Sequence, residues 1–175
     1  MRLLLFGCTG FVGRELLPLL LQAGHQLTVV SRRLARGYDA ERADGRLTWM
    51  QFDPASSSTW ADAGLLDALN QADAVVNLAG EPIAEKRWTP THRQLLETSR
   101  LETTSQLVKA IEDCATPPKL LVNASAIGFY GSSLDKRFLE SSTPGDDFLA
   151  SLCERWEAAA EAVPSAVRQV TLRIG

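Results

Sequence analysis

The chain has 175 residues, 45% hydrophobic and 22% charged, and this composition predicts one globular domain with a sizeable core. The formal net charge of −3 argues against a nucleic-acid partner, because such a partner requires a strongly basic surface. No apolar run is long enough to cross a membrane, and the opening MRLLLF is too short for a signal peptide. We therefore expect neither membrane insertion nor secretion.

The three cysteines, Cys8, Cys114 and Cys153, lie far apart in the sequence. No pair has the spacing of metal ligands or of a redox motif, so we expect no metal site. An odd number of cysteines without a secretory leader predicts reduced thiols and a cytoplasmic location.

Strands alternate with helices along the chain. The apolar run at 2–6 predicts the first strand, and Gly24 ends the helix that follows it. Near-continuous apolar strands are typical of a parallel sheet buried on both faces. The pattern predicts an α/β doubly wound parallel sheet, the Rossmann fold, with strand order 3-2-1-4-5-6. The other predicted strands cover 25–31, 46–53, 72–80, 119–126 and 167–174, and the predicted helices cover 11–23, 60–70, 91–114 and 146–162.

Three glycines with the spacing GxxGxxG follow the first strand. In a dinucleotide-binding fold such glycines permit a tight turn, a close approach of a pyrophosphate, and close packing of the helix on the sheet. The amide groups at the start of the helix attract phosphate. A glycine triplet alone also fits an ordinary tight turn, but its place between strand and helix favours cofactor binding. The predicted cofactor contacts here are Gly7, Thr9, Gly10, Phe11, Val12 and Gly13.

Ser31, Arg32 and Arg33 occupy the end of the second predicted strand, where NAD-binding proteins place an acidic residue for the ribose 2′-hydroxyl. A carboxylate repels a 2′-phosphate, whereas guanidinium groups pair with it. The sequence therefore predicts NADP(H) as the cofactor, with NAD(H) less favoured. The alternative is that one or both arginines only coat the surface.

The segments GCTGFVG, NLAG, ASAIGFYG and LRIG together resemble the extended short-chain dehydrogenase/reductase superfamily. The tryptophan-bearing segments at 75–100 and 144–161 are similar to its atypical epimerase-like branch. That branch is known as NAD-dependent epimerase/dehydratase or nucleoside-diphosphate-sugar epimerase, and some bacterial members are labelled cell division inhibitors. The resemblance covers essentially the whole chain.

The resemblance implies roles for individual residues. Asp53 is similar to an aspartate that reaches the adenine, and Ser125 is similar to the active-site serine at the end of the fifth strand, close to both cofactor and substrate. Two plainer interpretations stay open, because Asp53 also suits a turn before Pro54 and the Ser125 hydroxyl could cap local backbone. The implied cofactor contacts after the fourth strand are Asn77, Leu78, Ala79 and Gly80.

The superfamily's usual catalytic pair, Tyr-x-x-x-Lys on the helix after the fifth strand, is missing. In that pair the tyrosine transfers a proton, and the lysine lowers its pKa and binds the nicotinamide ribose. Tyr130 has its nearest following lysine at Lys136, which is the wrong spacing. The remaining candidates for proton transfer are Ser125, Tyr130 and a bound water. The helix itself offers Leu149 and Cys153 at the two positions, or Phe148 and Leu152 in a register shifted by one.

Lys86, Arg87 and Trp88 are predicted to line a substrate pocket, because a cation and an aromatic platform suit an anionic small molecule. A solvated loop anchored by one tryptophan fits these residues equally well. His92, at the start of the long helix, is expected to face solvent.

The sequence stops at the sixth strand, whereas members of the superfamily continue into a smaller C-terminal substrate region. We expect residues 1–175 to be the NADP-binding domain of a longer protein, with that region absent. The predicted function is an NADP(H)-binding oxidoreductase or epimerase-like protein acting on an unknown small molecule. Two alternatives stay open: a non-catalytic cofactor-binding regulatory or interaction protein linked to cell division, and a nucleotide-sugar binder without redox chemistry.

Overall fold

The structure, a computed structural model, describes residues 1–33 and 38–175, and within that part it leaves the side chain of Ala40 undescribed. The strands are β1 (Arg2–Phe6), β2 (Gln26–Ser31), β3 (Leu47–Gln51), β4 (Ala74–Asn77), β5 (Leu120–Ala126) and β6 (Arg168–Ile174). The α-helices are α1 (Phe11–Gln22), α2 (Asp39–Ala43), α3 (Ala63–Gln71), α4 (Pro90–Glu112) and α5 (Phe148–Glu161). Two 3-10 turns cover Ser57–Ala61 and Ile127–Tyr130.

The strands form one six-stranded sheet with the order β3-β2-β1-β4-β5-β6, and each neighbouring pair is parallel. The predicted α/β doubly wound Rossmann fold and its strand order are confirmed. The chain builds outward from β1 in one direction through β3, and then in the other direction from β4 through β6. The crevice between these two halves, at the carboxyl ends of β1 and β4, is where such folds bind ligands.

The core lies on both faces of the sheet, because successive residues of a strand point to opposite sides. Along β1, Leu4 and Phe6 belong to one buried cluster, whereas Leu3 and Leu5 belong to the other. The first cluster is covered by α3 and α4, and the second is covered by α1. This burial on both sides explains why the strand sequences are almost continuously apolar.

The start of α3 differs from the prediction. A helix from residue 60 was expected, but Trp60 lies in the 3-10 turn and α3 begins at Ala63. The Asp62 side chain accepts a hydrogen bond from the Leu65 amide at 2.9 Å and so fixes the first turn of the helix. Trp60 instead stacks on Phe6, with ring centroids 5.7 Å apart. The short helix α2 was not predicted.

Helix α4 begins after Thr89, whose side chain accepts from the His92 amide at 3.2 Å. His92 is only 6% exposed, so the expectation that it faces solvent is wrong. It shares the buried face of α4 with Leu96 and Arg100, which follow at intervals of four residues. Among the described helices, none combines the length and the apolar character that a membrane crossing needs.

Candidate functional site at the carboxyl edge of the sheet

The glycine loop joins β1 to α1 with almost no free space around its backbone. Gly7 has a φ of +75°, and a Cβ placed there would lie 2.5 Å from the backbone of Leu78. A Cβ at Gly13 would lie 2.3 Å from Cys8 Cα, so α1 packs directly onto the loop. Gly10 donates its amide to the Gly7 carbonyl at 3.1 Å and precedes α1 without a side-chain cap. The first amides of α1 therefore remain available to an anion.

The loop sits beside β4, whose end is held by buried amides. Asn77 donates to Asn123 Oδ1 at 2.7 Å and to Thr104 Oγ1 at 3.0 Å. Its own Oδ1 accepts from the Ala79 amide at 3.2 Å. Trp156 of α5 donates to the same Thr104 hydroxyl at 2.9 Å. These bonds hold the segment Asn77, Leu78, Ala79 and Gly80, which was predicted to contact the cofactor, beside the glycine loop.

The end of β2 presents an exposed pair of arginines. Ser31 is buried, and its Oγ donates to the Arg33 carbonyl at 2.7 Å and accepts from the Arg33 amide at 3.2 Å. This local turn follows directly on the strand. Arg32 donates to Glu81 Oε2 at 3.2 Å, across the end of β1. Arg33 is exposed.

Glu81, which the sequence analysis did not single out, is buried directly after the NLAG segment and is the centre of a charge cluster. Its carboxylate pairs with Arg32 at 3.2 Å and with Lys86 at 3.4 Å. Its amide donates to Ser99 Oγ at 2.9 Å, and its carbonyl accepts from Arg100 at 3.1 Å. Burial would raise the pKa of Glu81, but the hydrogen bonds and charges of the two cations outweigh it and lower the pKa.

The ends of β5 and β6 contribute a second cluster. Ser125 Oγ, at the end of β5, donates to Glu157 Oε1 of α5 at 2.5 Å. Arg173 of β6 donates to both oxygens of Glu157, at 2.9 and 2.8 Å. Arg173 also donates to Tyr130 Oη at 2.8 Å and to the Glu140 carbonyl at 2.8 Å. We call Ser125, Glu157, Arg173 and Tyr130 the serine–tyrosine network.

Sequence reasoning found the two ends of this network and missed its centre. Ser125 is 32 residues from Glu157 and 48 residues from Arg173 in the sequence, so no local pattern joins them. The signals available in the sequence were a glutamate within a predicted helix and an arginine inside a predicted strand. Hydrogen bonding to Glu157 raises the pKa of Arg173, which keeps its guanidinium charged. Ser125 bonds a side chain, so its hydroxyl does not serve as the local backbone cap considered above.

Helix α5 runs beside this network but supplies no tyrosine or lysine. It begins at Phe148, with the Asp147 side chain accepting from the Ala150 amide at 2.9 Å. Cys153 is buried next to Ser125, and burial raises the pKa of its thiol despite hydrogen bonds that act in the other direction. The thiol is therefore neutral at physiological pH and is a poor nucleophile.

Asp53 lies just beyond β3 in a closed turn. Its Oδ1 accepts from the Ala55 amide at 3.2 Å, and its carbonyl accepts from Thr59 Oγ1 at 2.7 Å. These bonds are the ones expected of a turn aspartate. Asp53 remains exposed, so the same geometry leaves its carboxylate accessible to a ligand.

The three residues predicted to line a substrate pocket separate in the structure. Lys86 and Arg87 are both exposed, but the Lys86 ammonium pairs with Glu81. Trp88 donates to the Ile83 carbonyl at 2.9 Å, and its ring lies edge-on to Phe148 with centroids 5.6 Å apart. A cavity of about 370 Å³ opens elsewhere, between the segments 130–138 and 143–146, beside Tyr130. Lys136 and several hydroxyl groups line it.

Comparison with known proteins identifies the family. The sequence profile of the NAD dependent epimerase/dehydratase family matches residues 3–152. The human epimerase family protein SDR39U1 is 39% identical over 178 aligned positions, which cover 100% of this chain and 54% of the human protein. The Bacillus subtilis epimerase family protein YfhF is 33% identical and is covered to the same extent, 54% of its length. The chain thus spans about half the length of the curated relatives that it matches.

Solved structures agree with this result. A crystal structure of human SDR39U1 (isoform 2) with NADPH superposes with a TM-score of 0.76 at 35% identity, covering 99% of this chain and 53% of the human chain. A nucleoside-diphosphate sugar epimerase from Corynebacterium glutamicum gives a TM-score of 0.74 at 29% identity, covering 99% of this chain and 33% of that chain. The chain belongs to the NAD dependent epimerase/dehydratase family. The resemblance to an atypical epimerase-like branch is confirmed.

Proposed function

We propose that this member of the NAD dependent epimerase/dehydratase family binds NADP(H) across the carboxyl ends of β1, β2 and β4. The backbone around Gly7 and Gly10 forms a close cradle, in which a Cβ at Gly7 would collide with the backbone of Leu78 and Ala79, just after β4. Such a cradle and the uncapped start of α1 suit a pyrophosphate. The similar human protein was crystallised with NADPH, which supports the same cofactor here.

The main observation for NADP(H) over NAD(H) is the pair of arginines at the end of β2. A guanidinium group matches the geometry and the charge of a 2′-phosphate, and no carboxylate stands at that place in the sequence to bind a ribose hydroxyl. Arg32 and Arg33 are both exposed, so both can reach a ligand. Asp53, at the end of β3, is placed further out along the same edge, where it would contact the adenine.

We further propose that a small molecule binds beside the serine–tyrosine network and is oxidised, reduced or epimerised there. The bound cofactor would supply or accept a hydride. The protein would then handle the accompanying proton through Ser125 or Tyr130. Arg173 has only donors, so Tyr130 Oη accepts the bond between them, and the phenol proton is free to point at another group.

The bond to Glu157 also determines the hydrogen-bonding role of Ser125. The Ser125 hydroxyl donates its only proton to Glu157, which leaves the lone pairs of Oγ free to accept a bond from a substrate hydroxyl. Tyr130 would therefore act as donor and Ser125 as acceptor towards the same small molecule. The cavity beside Tyr130 is the space that we propose for that molecule, with Arg87 and Trp88 as further proposed contacts.

The missing Tyr-x-x-x-Lys pair supports a second candidate function, a protein that binds the cofactor and regulates or recruits another component without turnover. Both candidates require cofactor binding, and they differ in what the serine–tyrosine network does. Loss of turnover in a Ser125→Ala variant would favour the enzyme. Absence of turnover by the wild type against a broad panel of carbonyl compounds would favour the binding protein.

Cofactor binding is tested by titrating NADPH and NADH into the full chain and following the quenching of tryptophan fluorescence. The double replacement of Arg32 and Arg33 by alanine should weaken NADPH at least tenfold and NADH much less, because only NADPH has the 2′-phosphate. Arg168→Ala is the matched control, since Arg168 is an exposed arginine at the opposite, amino end of β6. Equal weakening of both cofactors by the double variant would contradict the assignment.

A further inference from the structure

Arg32 is already engaged by the protein's own carboxylate. It follows β2, whereas Glu81 follows β4, and β1 lies between these two strands. Neighbouring strands are about 4.8 Å apart, so the Arg32–Glu81 pair spans the carboxyl end of β1, where the glycine loop begins. One of the two arginines proposed to select the 2′-phosphate therefore points towards the end of β4.

The two partners differ in their freedom to move. Glu81 is 8% exposed, and α4 holds both its amide and its carbonyl through Ser99 and Arg100. The Arg32 side chain is 54% exposed, and its guanidinium donates to Glu81 Oε2. A change of partner would therefore move Arg32 and leave Glu81 in place.

Lys86 makes such an exchange possible at low cost. It contacts Glu81 Oε1, whereas Arg32 contacts the other oxygen, Oε2. A buried carboxylate that loses its only cation is strongly destabilised. Because Lys86 stays on Oε1, the departure of Arg32 leaves Glu81 with one positive neighbour.

We propose that Glu81 is a specificity-determining residue that holds Arg32 until the 2′-phosphate of NADP(H) replaces it as the partner of Arg32. The inference rests on the proposed binding of NADP(H). On binding, the Arg32 guanidinium turns from the carboxylate to the phosphate, and Lys86 remains with Glu81. NAD(H) has no second anion to offer, so it leaves the Arg32–Glu81 pair intact.

The test is a double-mutant cycle on cofactor affinity at low ionic strength, where surface ion pairs are least screened. Glu81→Gln keeps the size of the side chain and removes its charge. It should tighten NADPH by about three- to fivefold, because the Glu81 carboxylate no longer competes with the 2′-phosphate for the half-exposed Arg32 side chain. NADH should change less than twofold. In the Arg32→Ala background the same replacement should leave NADPH affinity unchanged.

Glu85→Gln is the control, because it removes an equal charge from an exposed position in the same loop. Thermal unfolding without cofactor shows whether each variant is folded, and Glu81→Asp provides a second, charge-retaining variant. Unchanged or weaker NADPH binding by Glu81→Gln overturns the proposal. Equal tightening with and without Arg32 also overturns it, since the effect is then one of general charge. If the wild type binds NADPH, these outcomes concern the role of Glu81 alone. If neither the wild type nor Glu81→Gln binds NADPH, the proposed function fails, and this inference fails with it.

Discussion

The guanidinium of Arg173 and the carboxylate of Glu157 form a two-point ion pair, with Nε to Oε1 at 2.9 Å and Nη2 to Oε2 at 2.8 Å. The pair joins β6 to α5, two elements at the end of the sheet. Glu157 is 6% exposed and also accepts from Ser125. Glu157 therefore accepts hydrogen bonds from the ends of two neighbouring strands, β5 through Ser125 and β6 through Arg173.

Replacing Glu157 by alanine should lower the free energy of unfolding by about 3 kcal/mol, because it leaves Arg173 without its carboxylate in a partly buried place. Urea unfolding followed by circular dichroism would measure the change. Glu154→Ala, at an exposed position on the same helix, should change stability by less than about 0.5 kcal/mol. Equal stability of the two variants would show that the Arg173–Glu157 pair contributes nothing.

The Tyr130→Phe variant tests the role of the phenol hydroxyl in turnover while leaving the fold almost unchanged. The ring keeps its stacking on Phe138, with centroids 5.3 Å apart, and Arg173 Nη1 keeps the Glu140 carbonyl. We expect a loss of stability of about 1 kcal/mol or less and an unchanged affinity for NADPH. Turnover of an active carbonyl substrate should fall by about 100-fold or more. An unchanged turnover number would remove Tyr130 from the proposed proton transfer.

The importance of close packing at the glycine loop can be tested by comparing Gly7 with Gly24, a glycine of the same backbone conformation outside the loop. Gly7 and Gly24 have φ values of +75° and +78°, but a Cβ at Gly7 meets the backbone of Leu78 at 2.5 Å, whereas Gly24 has open space around it. Gly24→Ala should cost about 1–2 kcal/mol, from backbone conformation alone. Gly7→Ala should cost more and should abolish NADPH binding, because the loop must move. Thermal unfolding and fluorescence titration of both variants would show whether steric contact or conformation dominates.

Stability should depend on pH through Glu81. Its pKa is lowered from the ordinary value of 4.5 in the folded state, so the unfolded chain binds the proton more readily. The contribution of the charged Glu81 is therefore fully present above the unfolded-state pKa and is lost as the pH falls through the lower folded-state pKa. The melting temperatures of wild type and Glu81→Gln should converge as the solution is acidified through this range. A constant difference at all pH values would contradict the role of the charge.

The candidate site was only partly predictable from the sequence, and the reason is physical. The glycine spacing and the arginines after β2 are local patterns, because a single βαβ unit contains all the groups that define them. Ser125 could be selected by resemblance, and Tyr130 is a tyrosine in the same short segment. Their partners Glu157 and Arg173 come from a later helix and a later strand, and only pairing of β6 beside β5 brings Arg173 level with Ser125.

Two side chains have surroundings that their residue type did not indicate. Lys86, predicted as a substrate contact, pairs with the buried carboxylate of Glu81. His92 suggested a solvated position, but the face that α4 turns to the core includes it. In both cases a side chain's surroundings depend on an element that is distant in sequence, which periodicity does not report.

The sequence by itself determined the order of strands and helices, the parallel sheet and the place of the glycine loop, because hydrophobic periodicity and glycine geometry act over a few residues. The tertiary structure alone decided which charges meet. Arg32 reaches Glu81 across β1, and Arg173 reaches Glu157 and Tyr130 from the last strand. Charge pairing depends on distances of a few ångströms between separate elements, and those distances exist only once the sheet has assembled.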